Sequence, residues 1–399
     1  MAAADQTLRI EWLASIDDLD RLRDEWDGFV EQTGSDIYFT VDWLQAWWSH
    51  YGHGRSFHGL AMWRGTRMVA ALPFCIHRVW AGPVPVRLAR FVGADSSLPV
   101  FTPAIAEGFE ELAVRAALER LLDDLGCDAA SLSPLSGLSP VTGAAGRVAA
   151  GSEFRLLRSD ESGVHTLFNL PASYEDYLAS LHKSQRHLLR RNLRKLQSDY
   201  DITARTVSGE EAVAYLDRFV QLHTTQWHAH GKLGHFGDWP SGVAFNRDLV
   251  SRMAASGRAR FYEIAGDGEV LAIHYCFVLG ERCFGRLPAR DPDPALEKLG
   301  LGRLSLAETF RVLIQDGQTF LEGGPGHYDY KIRLGAEEYP IHRVVFGGRT
   351  RSRRWRGELL LRWASLVHLV YYRAWFLKLR PRLGLPPRPL WRSWTRTRI

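Results

Sequence analysis

Apolar positions recur with helical spacing over residues 17–30, and again, now crowded with tryptophan, over 41–51. The pattern then shortens to alternation. GLAMWRGTRMVAALPFCIHRVW (59–80) reads as two strands around a turn at 64–66, where Arg-Gly-Thr interrupts two apolar runs. An amphipathic helix follows over 110–125. Residues 131–151 are rich in Ser, Pro, Gly and Ala, which places a domain boundary at about residue 150.

The plan then repeats. Helices over 174–198, 210–230 and 245–256 precede RFYEIAGDGEVLAIHYCFVLGERCFGRLPAR (260–290), which reads as three strands with a turn at 266–268. A helix over 302–316 and strands over 319–323 and 342–346 close the second unit. The hairpin WRGTRMVAAL lies over AGDGEVLAIH, and the order helix, helix, hairpin, helix, strand occurs twice. This predicts an α/β chain with a mixed sheet, built as tandem copies of one unit at 1–150 and 151–348, followed by a tail at 349–399. Two unrelated α+β domains are the alternative.

Charge changes the picture of the tail. From 349 onward there are thirteen arginines and one lysine against a single acid, Glu358, a net +13; residues 1–348 hold 36 basic and 44 acidic residues, a net −8. Such a split points to a tail that meets something anionic. Arg351, Arg362 and Arg373 are eleven apart, so they share one side of a helix. Leu359, Leu360, Trp363, Leu366, Val367, Val370 and Trp375 crowd the rest. The stretch from Trp363 to Tyr372 without Arg or Lys is ten residues, too short to span a bilayer, which takes about twenty. Two readings stay open: a helix lying in an anionic membrane surface, and a helix packed on the body with its arginines in solvent. DNA is not expected, because Trp and Leu outnumber polar base-reading side chains there.

The four cysteines form no CxxC pair, and His223, His228, His230 and His235 lack a zinc spacing, so no metal is expected. Buried neutral thiols suit a reducing compartment. The N-terminus lacks a basic start followed by an apolar stretch. Together these predict a cytoplasmic protein, peripheral to the inner face of the membrane if the tail binds lipid.

Three segments carry candidate chemistry. KLGLGRLSLAETF (298–310) sets Gly300, Gly302 and Arg303 at a helix start, where backbone N–H groups and a guanidinium suit a phosphate; an ordinary loop–helix junction is the alternative. HKSQRHLLRRNLRKLQ (182–197) has six basic residues and no acid, with Lys183, Arg186 and Arg190 on one face. It is either a binding face for a phosphorylated ligand or a solvated helix. LEGGPGHYDYKIRLG (321–335) crowds Glu322, Tyr330 and Lys331 around a glycine-rich turn, where acyl transfer would need proton acceptors and donors. His274, between apolar residues of a strand, is a candidate base or a core histidine. Gln226 and Trp227 are candidates to line an acceptor pocket.

FTVDWLQAWW (39–48), LHKSQRHLLRRNLRKL (181–196), LHTTQWHAHG (222–231), EVLAIHYCF (269–277) and the 321–335 segment, in this order, resemble the CelD/BcsL-type acetyltransferase family of the GNAT superfamily. Its layout is similar to that of the Fem aminoacyl ligases. The resemblance covers roughly residues 10–346. It implies two GNAT-like units with a splayed pair of central strands, an acyl-CoA, acetyl-CoA first, as donor, and an acceptor among small molecules, saccharides or envelope precursors, as in polysaccharide or cellulose synthesis. It also implies that Lys331 falls where Fem-like enzymes have a lysine before a glycine-containing turn. The family usually has Asp where this chain has Glu322, and a small residue and Gly where it has LEKLGLGRL. A Fem-like ligase using aminoacyl-tRNA and a non-catalytic scaffold of a polysaccharide synthase are the rival expectations. A long heptad arm, usual in Fem ligases, is missing from the sequence.

Overall fold

The computed structural model describes residues 7–95, 99–151, 153–385 and 399. It divides into two compact units, Met1–Gly163 with Pro340–Ile399, and Val164–Tyr339. The divisions fall at 163 and 339, where the sequence pattern set them at 150 and 348, and residues 340–399 join the first unit.

The first unit opens with β1 (Leu8–Leu13), a 3-10 turn (Ile16–Leu22) started by a Ser15–Asp18 capping box, α1 (Arg23–Gln32) and α2 (Val41–Tyr51). Trp26, Trp43 and Trp47 are buried, and Trp26 Nε1 donates to Phe39 O at 2.8 Å, so the tryptophan-rich stretch builds core. There follow β2 (Arg55–Arg64), β3 (Arg67–Ala81), β4 (Val84–Phe91), β5 (Ala104–Ile105), α3 (Glu110–Leu118), β6 (Ala129–Ser131), β7 (Leu135–Ser136) and α4 (Val141–Ala150). β1 to β4 pair antiparallel in chain order, and β6 adds to β4 in parallel. The helix expected over 110–125 is α-helical only to Leu118 and continues as a π-helical turn, Glu119–Asp124.

β8 (Arg155–Asn169) spans the division at 163. In the second unit come α5 (Tyr174–Ser180), α6 (Lys183–Asp199), β9 (Ile202–Ser208), α7 (Gly209–Ala229), α8 (Gly234–Asp238), α9 (Gly242–Ala255), β10 (Ala259–Gly266), β11 (Glu269–Leu279), β12 (Arg282–Arg290), α10 (Pro294–Leu299), α11 (Leu301–Gln315), β13 (Phe320–Pro325) and α12 (Asp329–Arg333). The single helix expected over 174–198 is two, because Leu181 and His182 are extended and His182 caps α6 through its own ring. β9 to β12 pair antiparallel, β13 adds to β12 in parallel, and residues 165–169 of β8 pair antiparallel with β13.

The two units therefore repeat one topology: four antiparallel strands, then a fifth in parallel after a helix. The hairpins matched in sequence are equivalent in topology, each joining the second and third strands. Both carry a one-residue bulge at the matched position. Met62 pairs with Ala70 and Trp63 with Met68, leaving Val69 extra; Ile264 pairs with Ala272 and Ala265 with Val270, leaving Leu271 extra.

The chain then returns to the first unit. β14 (Glu337–Gly347) pairs antiparallel with β6, Val345 opposite Ser131, and α13 (Arg351–Val367) packs on the unit. Leu360 and Leu361 are buried with Val79, Val86, Leu88 and Val345. Cys75, Cys127, Cys276 and Cys283 are buried free thiols. Among the described residues no helix is long and apolar enough to cross a membrane, and no group of three or more His, Cys, Asp and Glu is placed to hold a metal ion.

Candidate active site

In the second unit β12 and β13 part company. They pair over only three residues, 282–284 against 320–322. A Cβ at Gly285 would stand 2.9 Å from Glu322 O, so glycine is what lets the strands lie this close where they diverge. One residue on, Arg286 is a bulge opposite β11, since Tyr275 pairs with Leu287 and Cys276 with Gly285. Beyond the bulge, α7 serves the edge of β12. Gln226 Oε1 accepts from Arg290 N at 3.0 Å, and His223 Nδ1 lies 3.3 Å from Pro288 O. His223 Nε2 lies 3.3 Å from His235 Nδ1. Burial pushes the pKa of His223 down to about 4 and that of His235 to about 3, so both rings are neutral near pH 7.

On the other strand of the opening, β13, β8 and α12 bring four polar side chains together. Glu322, on β13, is buried, and its Oε1 lies 3.1 Å from His165 Nε2 on β8. A carboxylate only accepts, so in a bond to one it is His165 Nε2 that donates, which leaves Nδ1 as the ring nitrogen facing away from Glu322. That nitrogen is buried and has no hydrogen-bond partner among the described residues, in a side chain 4% exposed. Lys331, on α12, donates to Gly323 O at 2.6 Å and reaches Thr166 Oγ1 at 3.4 Å. The Thr166 hydroxyl lies 2.8 Å from Gly324 O and 3.1 Å from Gly326 O, which ties down the glycine-rich loop. Gly324 and Gly326 have φ of 82° and 106°, so the loop needs glycine there. Burial pulls the Lys331 pKa down to about 8 against the opposing pull of Glu322 and Glu338. The cluster thus holds an oriented imidazole and an ammonium close to its titration point.

The start of α11 lies at the far end of β12. Gly300, at φ 83°, ends α10 and caps α11, and the guanidinium of Arg303 folds back over it. A Cβ at Gly302 would meet Arg290 Nη1 at 3.5 Å, so a second guanidinium flanks the same helix start. Asn192, buried on α6, donates to Leu299 O at 2.8 Å and fixes the loop. Arg303 N already donates to Gly300 O at 2.9 Å; the N–H groups of Leu301 and Gly302 ahead of it, at a helix start between two guanidiniums, fit a phosphate-bearing ligand.

Of the residues singled out in the sequence, Glu322 and Lys331 meet in one buried cluster. Tyr330 sits beside them in the chain on α12, 39% exposed. His274 stands on β11 beneath α11, its Nε2 3.1 Å from Ser305 Oγ and its pKa lowered to about 4 by burial. On α6, Lys183 is exposed, Arg186 donates to Leu178 O and Ala179 O at the end of α5, and Arg190 pairs with Glu175 at 3.0 Å. Trp227 packs against both His223 and His235, with Lys232 over its ring. Sequence reasoning missed His165 and Thr166, because RSDESG ahead of them reads as a polar loop; the short alternation VHTLFN was the available signal.

Residues 183–332 match the family model of an acetyltransferase (GNAT) domain. No curated protein sequence matches the chain. Among solved structures, a crystal structure of FemX is similar at a TM-score of 0.60 and 10% identity, over 84% of this chain and 96% of that one. A conserved protein of unknown function from Bacteroides thetaiotaomicron is similar at 0.51 and 12%, over 85% and 100%. L-PGS from Bacillus licheniformis is similar at 0.50 and 12%, over 85% and 96%. At these identities the likeness is one of fold, that of a mixed α/β chain, and the GNAT-type, acyltransferase-like part of it is the segment 183–332 in the second unit.

Proposed function

We propose that Val164–Tyr339 transfers an acyl group, acetyl first, from acyl-CoA to an amine or hydroxyl of a sugar, polysaccharide or cell-envelope precursor. The observation that carries this reading is the buried His165–Glu322 pair beside Lys331, at the opening between β12 and β13. His165 Nδ1 takes the acceptor's proton as the acceptor's nitrogen or oxygen attacks the thioester carbonyl. Glu322 holds the imidazole in the tautomer that leaves Nδ1 basic and stabilises the imidazolium that forms. Lys331, charged below about pH 8, offsets the negative charge that develops as the C–S bond breaks, and the leaving thiolate takes up the proton that the His165 imidazolium gives back, which restores the neutral imidazole. The products are the acylated acceptor and CoA. The start of α11, with Gly300, Gly302, Arg290 and Arg303, suits the pyrophosphate of the donor. The family-model match and the CelD/BcsL resemblance support the donor class, and that resemblance alone supports the saccharide or envelope acceptor.

Release of free thiol from acetyl-CoA, scanned across amino sugars and sugar precursors, tests the reading. His165→Gln and Glu322→Gln are expected to lower turnover about 10²–10⁴-fold while acetyl-CoA still binds by calorimetry. If no CoA thioester binds, the donor assignment fails; if His165→Gln turns over as the parent does, the base assignment fails.

A Fem-like ligation from aminoacyl-tRNA is the second reading, favoured by the likeness to FemX and by the basic helix α6. Binding of charged tRNA without binding of any CoA thioester would select it. A scaffold for a polysaccharide synthase would show neither binding nor turnover.

A further inference from the structure

The segment that charge sets apart divides in two. α13 is docked: Leu360 and Leu361 are in the core of the first unit, and a Cβ at buried Gly357 would stand 3.0 Å from Asp128 O. The chain then continues as a π-helical stretch, His368–Leu379, and a final turn, Arg380–Arg382, and neither contains a buried residue. What these turns and the residues beside them display is largely apolar. Leu369, Val370, Leu377 and Leu383 are 58%, 55%, 51% and 61% exposed, and Leu366 and Leu379 are exposed as well. Interleaved with them stand Arg373, Lys378, Arg380 and Arg382, and no acid follows Glu358.

A run of large apolar side chains this exposed marks a surface that something else covers. The candidates differ in charge. A second copy of the segment would set four cations against four like ones. An anionic phospholipid surface offers both requirements at once, hydrocarbon for the leucines and negative headgroups for the guanidiniums and the ammonium. Long basic side chains suit that boundary because their stems lie along apolar surface while their heads stay wet. Arg380 already shows the arrangement, its guanidinium 4.4 Å over the ring of Phe376.

We propose that residues 366–385 lie in the headgroup layer of an anionic bilayer, with α13 as the rigid link that fixes the first unit to it. Apolar burial and charge attraction act together, and they separate by salt: screening weakens the second and leaves the first.

The test is sedimentation of the full chain with vesicles of mixed phosphatidylglycerol and phosphatidylcholine, and with vesicles of phosphatidylcholine alone. Binding to the mixed vesicles is expected to exceed binding to the neutral ones, and to weaken without vanishing at high salt. Lys378→Gln with Arg382→Gln should lower partitioning on the mixed vesicles by about fivefold for each charge removed. Leu369→Ser with Leu377→Ser should abolish the salt-resistant part. All four side chains are exposed, so melting temperatures should match the parent. Equal partitioning on the two vesicle types, or a leucine double variant that sediments like the parent, overturns the proposal. So does a parent that is dimeric in ultracentrifugation, indifferent to vesicles, and made monomeric by the leucine substitutions.

Discussion

His165 and Glu322 lie 157 positions apart and meet through one hydrogen bond, next to a lysine whose charge is held out of water. Lys331 is 7% exposed with a pKa of about 8, against 10.5 for an ordinary lysine. The unfolded chain binds the extra proton between those values, so stability rises as pH goes from about 8 to about 10.5. Below pH 8 the native state carries the desolvated charge. Lys331→Met should therefore melt no lower than the parent at pH 7, should lose the gain in stability above pH 8, and should turn over at least about a hundredfold more slowly. Thermal melts across pH, read beside turnover, check all three. The opposite limb belongs to the buried imidazoles. His223, His235 and His274 have lowered pKa values, about 4, 3 and 4, so the unfolded state takes up protons that the native state refuses as pH falls from about 6.5 toward 4. Stability is lost across that window, and His274→Gln should flatten part of the loss in urea titrations at successive pH values. That Glu322 and Lys331 stand near each other was legible in the sequence, because glycines crowd the turn between them. The approach of His165 to Glu322 was not, since the two lie on strands distant in sequence and the strand of His165 begins among exposed polar residues.

Helices and hairpins of the second unit followed from periodicity, because their apolar faces are covered by near neighbours. α7, α9, α11 and the 266–268 turn begin and end within three residues of the expected positions. Where the α-helical pattern breaks, periodicity was blind: the extended pair at 181–182 and the π-helical turns keep an amphipathic composition while changing the backbone. β8 and β9 were missed because partly exposed strands lack a long apolar run. Two element-scale outcomes follow from the backbone contacts of the site. Gln226→Leu should destabilise the second unit by about 1–3 kcal/mol in urea unfolding, since it strands the Arg290 N–H that the amide now accepts from. Gly302→Asp should weaken acetyl-CoA binding by at least about tenfold in calorimetry, because it sets a carboxylate at a helix start that favours anions and beside the Arg290 guanidinium.

At the scale of the whole chain, the repeat of two units was readable from the matched hairpins, and the shared bulge at Val69 and Leu271 extends that match to the register of the strands. The membership of 340–399 was not readable, because nothing local announces which sheet a late strand will join. Packing of α13 gives a measurable outcome: Leu360→Ala should cost the first unit about 2–5 kcal/mol in denaturant unfolding, the range for opening a cavity at a buried leucine. Truncation at 348 should cost more, as it uncovers Val79, Val86 and Leu88 together. The same topology orders events on the ribosome. Ser133 hydrogen-bonds with Val344, 211 positions later, so the first unit emerges early and waits with β6 unpaired on the side that β14 will take. The second unit, one continuous segment, is complete while that edge is still open. A chain stalled before residue 340 thus offers the cell a finished second unit joined to a first with an open strand edge, the kind of surface that chaperones shield. β14, made after nearly all of the second unit, supplies the partner that β6 has lacked since it was made.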